Sequence, residues 1–107
     1  MGKITSFIGI PAGSIDEEGG VYNILGLKVG WIDGEGQVYN LFNIKVGSVG
    51  DDGTIKSLLG IKMGSVQKDG TIKSLLGINA GKADPEDGVK KIGGAALLLL
   101  LSNAGGG

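Results

Sequence analysis

Apolar positions recur along this chain with a period of 17 residues. Gly13, Gly30, Gly47, Gly64 and Gly81 mark the period; with that glycine as position 2, repeats begin at Ala12, Val29, Val46, Met63 and Ala80. Position 4 carries Ile15, Ile32, Val49, Val66 and Ala83, and position 10 carries Val21, Val38, Ile55, Ile72 and Val89. Position 13 is Ile24, Leu41, Leu58, Leu75 and Ile92; position 16 is Leu27, Ile44, Ile61, Ile78 and Ala95; position 14 adds Leu25, Phe42, Leu59 and Leu76. Columns of like residues predict a core built by stacking like on like.

Between the columns lie two glycine corners. Position 8 holds Gly19, Gly36, Gly53 and Gly70, each after an acid (Glu18, Glu35, Asp52, Asp69). Acid-Gly between β-branched runs is a strong turn signal, because glycine takes positive φ without penalty. Position 15 holds Gly9, Gly26, Gly60, Gly77 and Gly94, with Asn43 as the one substitute, and Asn is the next most tolerant of left-handed backbone. Each repeat therefore reads strand, turn, strand, turn. A unit this short cannot offset its own ordering entropy, so neighbours must supply hydrogen bonds and cover. The pattern predicts a single-domain, all-β solenoid (β-helix) of about six turns. It comprises a half repeat 1–11, full repeats 12–28, 29–45, 46–62 and 63–79, a divergent repeat 80–96 and an end strand with a Gly tail at 97–107. The alternative is a small closed β-barrel or ring of hairpins.

The two ends are in complementary phase. Gly2–Pro11 fits positions 8 to 17, Leu97–Asn103 fits positions 1 to 7, and Gly2 to Asn103 spans six whole periods. The halves could complete each other between subunits, giving a head-to-tail filament, or within one chain, closing a ring. Leu97, Leu98, Leu99, Leu100 and Leu101 read as a strand that needs cover on both faces. The filament reading makes them, with Ile4, Phe7, Ile8 and Ile10, the self-assembly interface of a homopolymer. Asp84-Pro85-Glu86 carries the signature of a helix start, Asp as N-cap and Pro in the first turn, and predicts a short helix over Pro85–Ile92.

Composition narrows the function classes. With 23 Gly and only 2 Pro in 107 residues and no three-residue period, the chain is not collagen-like, and 41% hydrophobic content argues against a disordered linker. A net charge of −1 offers no basic field to hold nucleic acid or an anionic membrane. The absence of both Cys and His removes most nucleophile–base pairs and the commonest metal ligands, so neither catalysis nor a cofactor is expected. The N-terminal stretch is a poor signal peptide. Ala95–Leu101 is far shorter than the roughly 20 apolar residues of a spanning helix, so no transmembrane segment is expected and the compartment stays open.

Three constellations merit weighing. Glu18, Glu35, Asp52, Asp69 and Glu86 would stack along a solenoid as a candidate Ca²⁺ column, although hydrated turns account for them more simply. Lys28, Lys45 and Lys62 form one basic column, and Lys56, Lys73 and Lys90 another; solvated faces that discourage edge pairing explain both. Tyr22, Trp31 and Tyr39 gather in the first two full repeats, where exposed rings could stack on a glycan or serve a binding module; an ordinary surface patch is the simpler account.

The unit G-x-[IV]-x-x-[DE]-G-x-[IV], followed by the terminal G-V-K-K-I-G-G-A-A-L-L-L-L-L, resembles short bacterial tandem-repeat proteins with DG-rich turns. More broadly the chain is similar to bactofilin-like proteins, whose β-helices polymerise end to end without nucleotide. That resemblance implies a self-assembling structural protein.

Overall fold

A computed structural model describes residues 2–6 and 9–101. Ten short strands follow one another: β1 (Gly2–Ser6), β2 (Pro11–Ile15), β3 (Gly20–Asn23), β4 (Lys28–Ile32), β5 (Gln37–Asn40), β6 (Lys45–Val49), β7 (Thr54–Ser57), β8 (Lys62–Val66), β9 (Thr71–Ser74) and β10 (Asn79–Ala83). Each pairs antiparallel with its chain neighbours, and β1 pairs with β10 in the register Ile4↔Ala83, so the sheet closes into a barrel. The fold is all-β with a small C-terminal helix, but it is a barrel and not a solenoid.

The physical reason lies in the corners. In a solenoid a corner redirects the chain while successive turns stack in parallel. Here both corners reverse it fully. At the acidic corner the Gly50 N–H donates to the Thr54 carbonyl and the Gly53 N–H to the Gly50 carbonyl; at the other corner Ser57 and Gly60 make the same pair of bonds with Ile61 and Ser57. The glycine of each corner sits at positive φ, 87° for Gly53 and 81° for Gly60, and Asn43 takes φ 63° in its place. The N-terminal half repeat does close a ring within one chain. Its partner, however, is Asn79–Ala83 and not the leucine run, so five repeats close the circle where six periods were expected.

Inside the barrel, positions 4 and 10 supply the core as predicted: Ile15, Ile32, Val49, Val66 and Ala83 from one set of strands, Ile4, Val21, Val38, Ile55 and Ile72 from the other, all buried. A bulge recurs in every repeat. Val38 pairs with Gly47 but Tyr39 with Lys45, leaving Val46 as an extra residue, and Val29 and Met63 are equivalent. Bulges bend and twist the strand, which helps a short-stranded sheet to close. They also bring position 1 against the core.

The chain then turns inward. Asp84 accepts a hydrogen bond from the Glu86 N–H at 3.0 Å, capping a 3₁₀ turn at Pro85–Asp87. Helix α1 (Val89–Ala96) follows and continues as a π-helical turn, Leu97–Leu101. The leucines are thus not a strand. Lodged in the barrel, with Leu97 and Leu101 buried and Leu98, Leu99 and Leu100 half-buried, a segment apolar all round satisfies its backbone within itself, and helix is the form that does so. Gly93 and Gly94 let α1 pass the wall: a Cβ on Gly93 would lie 2.6 Å from Val49 Cγ1, and one on Gly94 would overlap Ile32 Cγ1.

The leucine turn matches the barrel's repeat number. Leu97 lies against Gly47, Leu98 against Gly30, Leu99 against Gly13, Leu100 against Gly81 and Leu101 against Gly64. Consecutive leucines thus step round consecutive repeats, each seated over the position-2 glycine. Five repeats divide the circle into steps of about 72°, less than the 100° per residue of a 3.6-residue helix, and a π turn rotates less per residue. A Cβ on Gly30 would lie 2.8 Å from Leu98 Cδ1 and overlap the carbonyl oxygen of Tyr39, so these wall positions require glycine.

Candidate docking surface

An up-and-down barrel places alternate turns at the same end, and the two ends differ chemically. One carries turns 16–19, 33–36, 50–53 and 67–70 with the segment 84–88; the other carries Gly9 and Ile10 with turns 24–27, 41–44, 58–61 and 75–78. The backbones match position for position. Asp16 Oδ1 accepts from the Glu18 and Gly20 N–H groups, and Asn23 Oδ1 accepts from the Leu25 and Leu27 N–H groups in the same relation. Two identical turn designs therefore display opposite side chains.

All 11 acidic residues of the chain fall on the first end. Asp52 and Asp69 are held below the usual carboxylate range, chiefly by the backbone N–H groups of Thr54 and Thr71, with help from their hydroxyls. Partial burial works against ionising Asp16, yet the Gly20 N–H, the Tyr22 phenol, the Glu18 N–H and Lys28 together bring it below that range too. The expected Ca²⁺ column does not form, because Glu18, Glu35, Asp52, Asp69 and Glu86 sit on separate turns spread round the rim. Among the described residues no group of three or more carboxylates is placed to hold a metal.

The opposite end is an apolar crown. Ile10, Ile24, Leu25, Leu27, Leu41, Phe42, Ile44, Leu58, Leu59, Ile61, Leu75, Leu76 and Ile78 are each more than half exposed, with Leu59 at 84% and Leu76 at 83%. Columns 13, 14 and 16, expected in the core, occupy this rim in every full repeat. The reason is the corner itself: positions 13 to 16 form the reversal, so of the five apolar columns only positions 4 and 10, beside the acidic turns, point inward. Two of the tips are well bonded along the backbone. In the turn 24–27, the Asn23 N–H donates to Leu27 O, the Gly26 N–H to Asn23 O, and the Leu25 and Leu27 N–H groups to Asn23 Oδ1. Asn40 repeats the arrangement over Phe42 and Ile44, and the Ser57 hydroxyl accepts from Ile61 N–H at 3.3 Å.

Behind the crown the outer wall alternates tyrosine and lysine. Position 17 follows the crown turn directly and pairs across strands with position 11, giving Tyr22↔Lys28, Tyr39↔Lys45, Lys56↔Lys62 and Lys73↔Asn79. Of the three aromatics, Trp31 and Tyr39 touch, while Tyr22 turns toward the acidic end. Trp31 stacks on Tyr39 with centroids 4.3 Å apart, Trp31 Nε1 donates to Asn43 Oδ1 in the crown, and the Tyr22 hydroxyl donates to Asp16 Oδ2.

The expected assembly interface is distributed otherwise. Ile4, Leu97 and Leu101 are buried, and Leu98, Leu99 and Leu100 pack inside the barrel, because the leucine run plugs the lumen instead of extending a sheet. Ile10 stands on the crown, and Phe7 and Ile8 lie outside the described residues. No described helix is long and apolar enough to cross a membrane. The strands are 4 or 5 residues long, whereas a spanning β-strand needs roughly 9–11. Comparison with protein-family models, with curated proteins and with solved structures finds no match to this chain, so its function is read from the crown and wall alone.

Proposed function

We propose that this barrel is a docking module that inserts its apolar crown into the surface of a lipid bilayer. The observation that carries the reading is the crown itself: thirteen large apolar side chains on five turn tips, all at one end of the molecule. A soluble monomer rarely gathers so many exposed large apolar side chains at one end without a partner for them. Separate protruding tips suit a fluid that can fill the spaces between them better than a rigid complementary surface. In the turns 24–27 and 41–44 the N–H groups of Leu25, Gly26, Leu27, Phe42, Asn43 and Ile44 are bonded within the turn, as a low-dielectric medium demands. A second copy docked crown to crown would set one lysine wall against another.

The self-assembly expected from the sequence would, in this fold, use the crown and so compete with lipid. Flotation with neutral phosphatidylcholine vesicles tests the docking reading. The wild-type chain should float. A variant carrying Leu25→Ser, Phe42→Ser, Leu59→Ser and Leu76→Ser should stay at the bottom while keeping its far-ultraviolet circular dichroism. Each side chain contributes about 1.5 kcal/mol on transfer, roughly tenfold in partitioning. A wild-type chain that stays monomeric and floats with neither these nor anionic vesicles overturns the reading, as does one that forms discrete crown-dependent oligomers with no lipid binding.

A further inference from the structure

The charge distribution points to the kind of bilayer, and the argument rests on the docking reading above. Every acid lies at the end away from the crown, whereas Lys28, Lys45 and Lys62 each follow a crown residue directly in the chain. Lys56 and Lys73 share their level on the wall through strand pairing. Lys56 and Lys62 stand directly opposite each other on adjacent strands, an arrangement that is unfavourable in a free protein. None of these five lysines is ion-paired with a described residue, whereas Lys90, at the acidic end, bonds Asp51 at 2.9 Å. Lys28 and Lys56 exert only a minor attraction on Asp16 and Asp52. A chain of net charge −1 thus carries a cationic collar just behind its apolar tips and its negative charge on the far rim.

We propose that this collar selects bilayers with anionic headgroups and orients the barrel crown-down upon them. When the tips enter the acyl boundary, the lysines come level with the headgroup phosphates and carboxylates. The like-charged pair Lys56 and Lys62 then gains the counter-charge it lacks in solution, while the acidic rim is held away from the surface. Tyr39 and Trp31, stacked beside the collar, occupy the depth that amphipathic rings favour at a membrane interface.

The test compares phosphatidylcholine vesicles with vesicles containing phosphatidylserine, read by the emission of Trp31, the only tryptophan in the chain. The wild type should bind the anionic vesicles much more tightly, and the difference should shrink as salt rises from 0.05 to about 0.5 M, since screening shortens the reach of surface charge. The triple variant Lys45→Gln, Lys62→Gln, Lys73→Gln should lose roughly a hundredfold in affinity for anionic vesicles, at about fivefold per lysine, and bind neutral ones as before. Equal wild-type affinity for both vesicles, or a triple variant that keeps the preference, overturns the collar while leaving crown insertion standing. Failure to bind either vesicle instead sinks the docking reading itself. Inorganic phosphate should displace the protein no better than chloride at the same ionic strength; selective displacement would mean a discrete phosphate pocket and refute a surface field.

Discussion

Replacing Gly94 with alanine would stabilise an exposed helix by about 0.8–1.0 kcal/mol. In this barrel the sign should reverse. The new methyl would overlap Ile32 Cγ1 and Cδ1, and Ile32, 2% exposed, is held in the wall with no room to swing aside. Overpacking a closed core costs about 1–3 kcal/mol, which leaves a net loss of about 1 kcal/mol after the helix gain. Ile32→Ala alone should cost about 2–5 kcal/mol as a cavity. The double variant should cost less than the sum of the two, because the nearest surviving atom of residue 32 is then Cβ, 3.3 Å from the added methyl. That spacing is tight but tolerable, and it puts a carbon into the vacated space. We expect a coupling of about 2 kcal/mol, within the range seen for side chains in contact. Urea unfolding followed by far-ultraviolet circular dichroism and by Trp31 emission gives all four corners of the cycle. Additivity within about 0.5 kcal/mol, or stabilisation by Gly94→Ala alone, would refute the seating of α1 against β4.

Acid should weaken the barrel in a defined window. The folded protein holds the carboxyls of Asp16, Asp52 and Asp69 below the ordinary aspartate range, so their contribution is complete above about pH 4 and fades as pH falls through the lowered values. Melting temperature should hold between pH 7 and 5 and drop below 4, and Asp52→Asn with Asp69→Asn should make that drop shallower; an unchanged acid slope would contradict the assignment. At the crown, Asn40→Ala strips the acceptor from the Phe42 and Ile44 N–H groups. It should cost about 1 kcal/mol of stability in urea and weaken vesicle flotation more than a matched Asp33→Ala on the acidic rim, since only the crown groups would enter lipid. Equal flotation of the two variants would speak against insertion.

Much of this molecule was legible in the residues, and what was missed has one cause. The inward columns at positions 4 and 10, both glycine corners, the left-handed Asn43 and the Asp84 cap all follow from residue chemistry. The period, however, says nothing about chain direction. A glycine corner can bend a solenoid or reverse a hairpin, and a column of leucines is ordinarily core because burial is where leucine usually goes. The spacing held a discriminating signal: Asp16-x-x-Gly19 and Asn23-x-x-Gly26 have the same frame, a side-chain acceptor three residues before a positive-φ glycine. Equal frames mean equal turns, and two reversals per repeat make hairpins. The leucine run carries a related ambiguity: two-faced burial fits a sandwiched strand and a lumenal helix alike, and local pattern does not separate them.

The pairing of five leucines with five wall glycines bears on how such a chain can change in length. Tandem arrays gain and lose units readily when one copy misaligns with another, and an open array tolerates the new copy number. A closed one whose axis is occupied does not. A sixth hairpin would widen the ring and leave one glycine facing empty space, while loss of a hairpin would leave one leucine without a seat. The plug therefore acts as a gauge of copy number, and the array can grow or shrink only if the segment at its far end changes in step.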